Sequence, residues 1–295
     1  MKDTMLNKLV IIGVGLIGGS FALALRKAGL VRHITGLGRS RENLQHALEL
    51  GILDEATDNY SQALEKADLV LLAVPVGQTA GVLERINPYL ESQTIISDVG
   101  STKQDVIAAA RSSIPGHFQN FIPAHPIAGA ELSGANAANA DLFRDKNLIL
   151  TPSDETDNDA LESIKNLWRG CGAHVSLMRP YQHDEVLAMM SHLPHILAFT
   201  LMNHILSNCT KEDPDILLNI AGGGFRDFTR IAGSSPEMWK DICLANRALL
   251  LQQINTYQNE LTRMHEMLED NDGAALEKSF LNAQVTRLKF LKDKH

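Results

Sequence analysis

Residues 10–25 read VIIGVGLIGGSFALAL. A short apolar run of strand character ends at Ile12, Gly13-x-Gly15-x-x-Gly18 follows at once, and small apolar residues at helical spacing continue to Ala28, where Gly29 stops them. In this setting the first glycine permits a tight turn, the second lets the backbone approach a pyrophosphate, and the third lets helix and strand pack closely. The helix N-terminus then presents free N–H groups and the positive end of its dipole to the phosphates. GxGxxG alone is a weak signal. Placed between a strand and a helix, it predicts a dinucleotide site with Gly13, Gly15, Leu16, Ile17 and Gly18 against the cofactor.

Outward from this turn, strand-like runs alternate with helical patterns. The strands are expected at Leu9–Ile12, Ile34–Leu37, Leu69–Val74, Thr94–Ser97, Phe118–Ala124 and Asn147–Leu150. The helices between them are expected at Leu16–Ala28, Arg41–Leu50, Gln78–Ile86 and Lys103–Arg111, with a further helix at Asp157–Arg169 and a strand at His174–Met178. Buried strands alternating with helices predict a Rossmann-like, doubly wound parallel sheet with helices on both faces. After Arg179-Pro180 no convincing strand remains, and helical segments are expected at His183–Leu206, Pro214–Ile220, Phe225–Ile231, Pro236–Met267 and Gly273–Leu291. The reading is thus an α/β fold in two domains: residues 1–180 for the dinucleotide and an all-helical 181–295 for substrate and dimerisation, with a cleft where they meet.

The 295 residues are 44% hydrophobic and 21% charged, an ordinary globular balance. With 27 basic against 35 acidic side chains the formal net charge is −8, and no basic run offsets it, which argues against nucleic acid as a partner. Cys171, Cys209 and Cys243 show no zinc or disulfide spacing and read as core thiols of a cytoplasmic protein. The uncharged run Leu9–Leu25 is explained by the glycine turn rather than by a signal peptide, and no other stretch reads as membrane-spanning.

An acid that binds the ribose 2′-hydroxyl of NAD is expected about 20 residues past the glycine turn. That segment reads ITGLGRSREN; its position falls near Gly38, and Arg39, Ser40 and Arg41 follow. Loss of the acid removes repulsion of a 2′-phosphate and an arginine can pair with that phosphate, so NADP is favoured over NAD, with Arg39 and Ser40 as contacts. The run AVPVGQT puts Val74 and Pro75 at the carboxyl edge of the sheet, and SDVGSTKQD puts Ser101 and Thr102 at a helix start, as caps, facing the same crevice.

Residues 123–134, PAHPIAGAELSG, hold His125 in a rigid, nearly apolar loop. Beside a nicotinamide, an imidazole there is a base that removes a hydroxyl proton as hydride leaves the same carbon. SHLPH supplies His192 and His195, with His183 and His204 nearby; the spacing has no zinc context, so no metal is expected. AGGGFRDFTRIA carries Arg226 and Arg230 four residues apart, a guanidinium fork for a carboxylate.

Together, GLIGGS at 15–20, DVGSTK at 98–103, HPIAGAELSG at 125–134, SHLPH at 191–195 and GGGFRDFTRIA at 222–232 resemble the prephenate and arogenate dehydrogenase family in its stand-alone form, over almost the whole chain. The resemblance implies oxidative decarboxylation of a hydroxy-cyclohexadiene, prephenate or arogenate, with hydride passing to NADP or NAD, in tyrosine biosynthesis. It implies His125 as the group that deprotonates the 4-hydroxyl, Ser101 as its orienting partner beside the nicotinamide, and Arg230 as the carboxylate anchor. His195 becomes a further substrate contact and Glu131 a gate. A homodimer and inhibition by tyrosine are implied as well. The departure is Gly38, where NAD-using members carry an acid. Two rivals remain: a β-hydroxyacid dehydrogenase, which would use a lysine where only Lys211 is available, and a non-catalytic NADP-binding sensor, which has no reason to keep Ser101, His125 and Arg230 together.

Overall fold

The computed structural model describes residues 5–38, 40–129, 134–208 and 220–292. Its centre is a six-stranded parallel sheet in the order β3-β2-β1-β4-β5-β6. The strands are β1 (Leu6–Ile12), β2 (Val31–Leu37), β3 (Glu55–Thr57), β4 (Leu69–Leu72), β5 (Ile95–Asp98) and β6 (Phe121–Ile122). Order reverses between β1 and β4, so the crevice at the strand ends opens there. Side-chain alternation splits the core into two layers. Leu9, Ile11, Leu69 and Leu71 pack with α1 (Leu16–Lys27) and α6 (Asn158–Gly170) on one face. Val10, Ile12, Val70 and Leu72 pack with α4 (Thr79–Ile86) and α5 (Gln104–Ser113) on the other.

The glycine stops act as expected. Gly29 and Gly51 adopt φ of +69° and +68° just past α1 and α2 (Arg41–Glu49), a left-handed conformation that side chains resist. The parallel sheet and the all-helical later part agree with the sequence reading, but three local expectations do not hold. Glu55–Thr57 forms a strand that three half-buried residues gave no periodicity to reveal, and the short helix α3 (Tyr60–Leu64) follows it. Phe118–Ala124 is not one strand: residues 115–120 form a 3-10 turn, β6 is two residues long, and Pro123, lacking an N–H, ends it. The chain then changes sheets. His125 lies inside β7 (Ala124–Pro126), antiparallel to β8 (Asn147–Leu150), which pairs with β9 (His174–Leu177) in a separate three-stranded sheet. Pro236–Met267 is likewise broken, into Pro236–Ala245 and Arg247–Glu269, at the buried Asn246.

After β9 the chain is helical: α7 (Pro180–Leu187), a π turn at Ala188–His192, and α8 (Leu193–Asn208), then Gly223–Thr229, a 3-10 turn at Arg230–Gly233, and Pro236–Ala245. Pro180–Asn208 is long and apolar enough to cross a membrane by length and composition, yet it carries the buried polar residues His183, Asp184 and His192. Most of the helix expected at Pro214–Ile220 falls outside the described residues, as does Cys209. Cys171 is buried, which pushes its thiol up to about 12 and leaves it inert as a nucleophile. The chain divides into two compact units, Met1–Arg247 and Ala248–His295. The second consists of helix joined to helix through the turn at Asp270–Asp272, where the Asp272 carboxylate accepts from the Ala275 N–H at 2.9 Å.

Candidate active site

The turn after β1 is built for close backbone approach. Gly13 has φ +97°, and a Cβ there would run into the Ala73 carbonyl. A Cβ on Gly15 would meet nothing within 4 Å, so that position is open towards the crevice. The first amides of α1 have no carbonyl one turn earlier, which makes them ready donors. Gly15, Leu16 and Ile17 line a cavity of about 710 Å³ with Val74, Pro75 and Ser101. Free amides at a helix start, an open glycine and an apolar wall fit a dinucleotide diphosphate.

The same cavity reaches His125 and Arg230, so the glycine turn, the 99–101 segment, the 125–129 segment and the 3-10 turn at Arg230 converge. Arg226, one turn earlier in Gly223–Thr229, is not among the described lining residues. Neither is His195, whose ring stacks on Trp239 at 3.8 Å and whose Nδ1 donates to the Ser191 carbonyl at 2.8 Å. His195 lies within electrostatic reach of Arg230: burial lowers its pKa first, and the guanidinium adds to that. Arg39 and Glu131 lie outside the described residues. The Ser40 hydroxyl accepts from the Asn43 N–H at 3.2 Å as the N-cap of α2, and Arg41 turns to Asp58 at 2.8 Å. At Gly38 a Cβ would only touch Leu44, at 3.6 Å, so packing does not forbid a side chain there.

Behind His125 stands a polar cluster that the sequence did not disclose. His125 Nδ1 lies 2.8 Å from His183 Nε2, and His183 Nδ1 lies 2.7 Å from Asp184 Oδ1. The Asp184 carboxylate also accepts from the Lys103 N–H at 2.8 Å and the Gln104 N–H at 2.9 Å. Asp184 therefore caps α5 at the Lys103 and Gln104 amides, in place of the expected Ser101 and Thr102. Lys103, fully buried, pairs with Asp98 and donates to the Ala124 carbonyl at 2.8 Å, while Asp98 also accepts from the Ala124 and Gly100 N–H groups. This fastens β7, and His125 with it, to the end of β5. Asn246 bridges the Asp184 carbonyl, at 2.8 Å, and His192 Nδ1, at 3.2 Å.

His125 is 8% exposed. Burial holds its pKa well below 6.5, and His183, Lys103 and His192 push the same way, so the ring is neutral at pH 7. Burial likewise lowers His192 to about 4. For Asp184, burial pushes upward, but the bonds from His183, Gln104 and Lys103 outweigh it, and the carboxyl stays below its usual range. Among the described residues no group of three or more His, Cys, Asp or Glu side chains is placed to hold a metal ion.

A dinucleotide turn opening on the same cavity as one neutral, anchored imidazole and one arginine defines a nicotinamide-dependent oxidoreductase. Comparison with known proteins narrows the class. The family model for the prephenate dehydrogenase nucleotide-binding domain matches residues 21–177, and that for the prephenate dehydrogenase dimerization domain matches 179–282. The chain is 39% identical to the prephenate dehydrogenase of Bacillus subtilis over 97% of this chain and 76% of that one. It is 35% identical to the cyclohexadienyl dehydrogenase of Zymomonas mobilis over 97% and 96%. Among solved structures, the prephenate dehydrogenase of A. aeolicus in complex with hydroxyphenyl propionate and NAD+ superposes with a TM-score of 0.89 at 32% identity, covering 96% of this chain and 98% of that one. The Synechocystis arogenate dehydrogenase gives 0.78 at 29%, covering 96% and 99%. The chain belongs to the prephenate dehydrogenase family.

Proposed function

We propose that this protein oxidatively decarboxylates prephenate, arogenate or both in tyrosine biosynthesis. The observation that carries the reading is the convergence of the Gly13–Gly18 turn, Ser101, His125 and Arg230 on one cavity. Bound NAD(P) supplies the hydride acceptor. His125 takes the proton of the substrate 4-hydroxyl as the C4 hydride departs. The bond from the ring to its carboxylate then breaks, carbon dioxide leaves, and the bond's electron pair makes the ring aromatic. His125 returns its proton to the phenolate oxygen, so the protein ends as it began. Arg230 anchors a substrate carboxylate, Ser101 helps orient His125 beside the nicotinamide, His195 is a further substrate contact, and Glu131 gates the entrance. Residues 1–180 serve the dinucleotide and 181–295 the substrate and the dimer contact.

NADP is preferred to NAD in this reading. Support comes from Gly38, where packing leaves room for a Cβ and no acid is present, and from Arg39 and Ser40 next to it in the chain. The expected ratio of kcat/KM is about tenfold, or roughly 1.4 kcal/mol; a clear preference for NAD overturns it. The dimer reading draws support from exposed apolar side chains on the later helices, Met189, Met190, Leu206 and Leu244 among them. Tyrosine, with a phenol and a carboxylate, meets the same contacts as an inhibitor. Side-by-side kinetics with prephenate and arogenate test the activity itself, and no turnover of either removes it.

A further inference from the structure

The hydrogen bonds behind His125 run in one direction. The Asp184 carboxyl accepts from two backbone N–H groups and lies 2.7 Å from His183 Nδ1; held below its usual range by these bonds, it is ionised and can only accept. The His183 nitrogen facing it, Nδ1, must then donate. For His125 to offer a lone pair on Nε2, its Nδ1 must carry the hydrogen and donate across the 2.8 Å contact, with His183 Nε2 as the acceptor. All three side chains are buried, so water does not supply an alternative partner at these contacts.

We propose that His183 and Asp184 are positioning residues that hold His125 with its hydrogen on Nδ1 and its lone pair on Nε2, the nitrogen on the ring edge away from His183. The inference rests on the reading of His125 as the base and extends it. When Nε2 takes the substrate proton, the new positive charge on His125 faces His183, with the Asp184 carboxylate next in line. The carboxylate fixes the tautomer and steadies the imidazolium without itself being protonated, as the aspartate of a Ser-His-Asp triad does. Among the described residues, the other charged or titratable groups that act on the His125 ring are Lys103, already paired with Asp98, and His192, whose Nδ1 faces Asn246; Arg230 lines the same cavity. His183 and Asp184 are adjacent on α7, so one helix end sets the protonation of a strand residue 58 positions earlier and caps α5 at the same time.

The test is two-bond 1H–15N spectroscopy of the full-length protein labelled on histidine, with the His125 signals assigned by their loss in His125→Asn. Wild type should show His125 protonated on Nδ1. Asp184→Asn can offer its amide N–H to His183, reversing the chain: the Nε2–H tautomer of His125 should appear, and kcat should fall on the order of 10²–10⁴, as when a triad aspartate is replaced by asparagine. Should that variant fail to fold for want of the α5 cap, the His183 variants decide, since both leave the cap in place. His183→Gln keeps an acceptor for His125 Nδ1 and should preserve its tautomer. His183→Leu removes the acceptor, should mix the tautomers, and should run at least about tenfold slower than His183→Gln, the scale of a misdirected general base. A wild-type His125 protonated on Nε2, or the same His125 tautomer in His183→Leu as in wild type, overturns the proposal. The expected tautomers without turnover of prephenate or arogenate would leave this inference standing and remove the proposed activity instead.

Discussion

The Gly13–Gly18 turn draws every part from one strand–helix junction, whereas the cluster behind His125 gathers Asp98, Lys103, His183 and Asp184 from three separate segments. The turn works through backbone: a left-handed Gly13, an open Gly15 and free amides. The cluster works through side chains whose direction of hydrogen bonding must agree from one end to the other. Damage to the turn should therefore appear in binding or folding, and damage to the cluster in protonation and rate.

The largest effect should come from His125→Asn, which keeps a hydrogen-bonding group but cannot take the proton: kcat should fall on the order of 10²–10⁴ while dinucleotide affinity holds. Near wild-type turnover in that variant would make His125 structural and erase the contrast between the regions. Arg230→Ala should raise KM for the cyclohexadiene by about 2–5 kcal/mol of lost binding, with dinucleotide binding again unaffected; an unchanged KM moves the anchor to Arg226.

The cluster also predicts a pH dependence of stability. His192 lies at about 4 in the folded protein against an ordinary 6.5, so between those values the unfolded chain binds more protons. The stability that neutral His192 permits is whole above pH 6.5, declines as pH falls, and levels off below about 4. The full loss amounts to about 3 kcal/mol, and His125 adds a loss of the same sign. Denaturant unfolding of wild type and His192→Gln between pH 7 and 4.5 reads the slope; equal slopes would mean that the site admits the charge.

The turn offers a finer contrast within itself. Gly13→Ala should destabilise the fold by about 1–3 kcal/mol, through its backbone conformation and the Ala73 carbonyl. Gly15→Ala should leave stability within about 0.5 kcal/mol yet weaken dinucleotide binding about tenfold, because its methyl occupies the cofactor's approach. Thermal unfolding and fluorescence titration separate the two, and an unweakened Gly15→Ala would place the diphosphate elsewhere.

Much of this could be read along the chain. Short apolar runs and the glycines beyond them placed α1 and α2 to within a residue, because strand burial and helix termination are local matters. Three residues of β3 carried too little pattern to register. Pro123 broke a strand whose hydrophobicity alone looked continuous, and Asn246 broke a helix whose periodicity did not. The adjacent letters of His183-Asp184 gave no hint of their use, since the partners they meet beyond each other, His125 and the Lys103 and Gln104 amides, lie outside their own helix.

The parallel sheet and the glycine turn after β1 were legible in the chain alone. Each of those depends on residue type and short spacing, which backbone sterics and hydrophobic period translate directly. It took the packed structure to show that His125 sits in a strand rather than a loop, that the Nδ1 edge of its ring meets His183, and that α5 is capped from α7. Those facts concern which buried polar atoms satisfy one another. Burial makes each unpaired group costly, so the pairing is settled by the whole packed arrangement, and no short stretch of chain contains it.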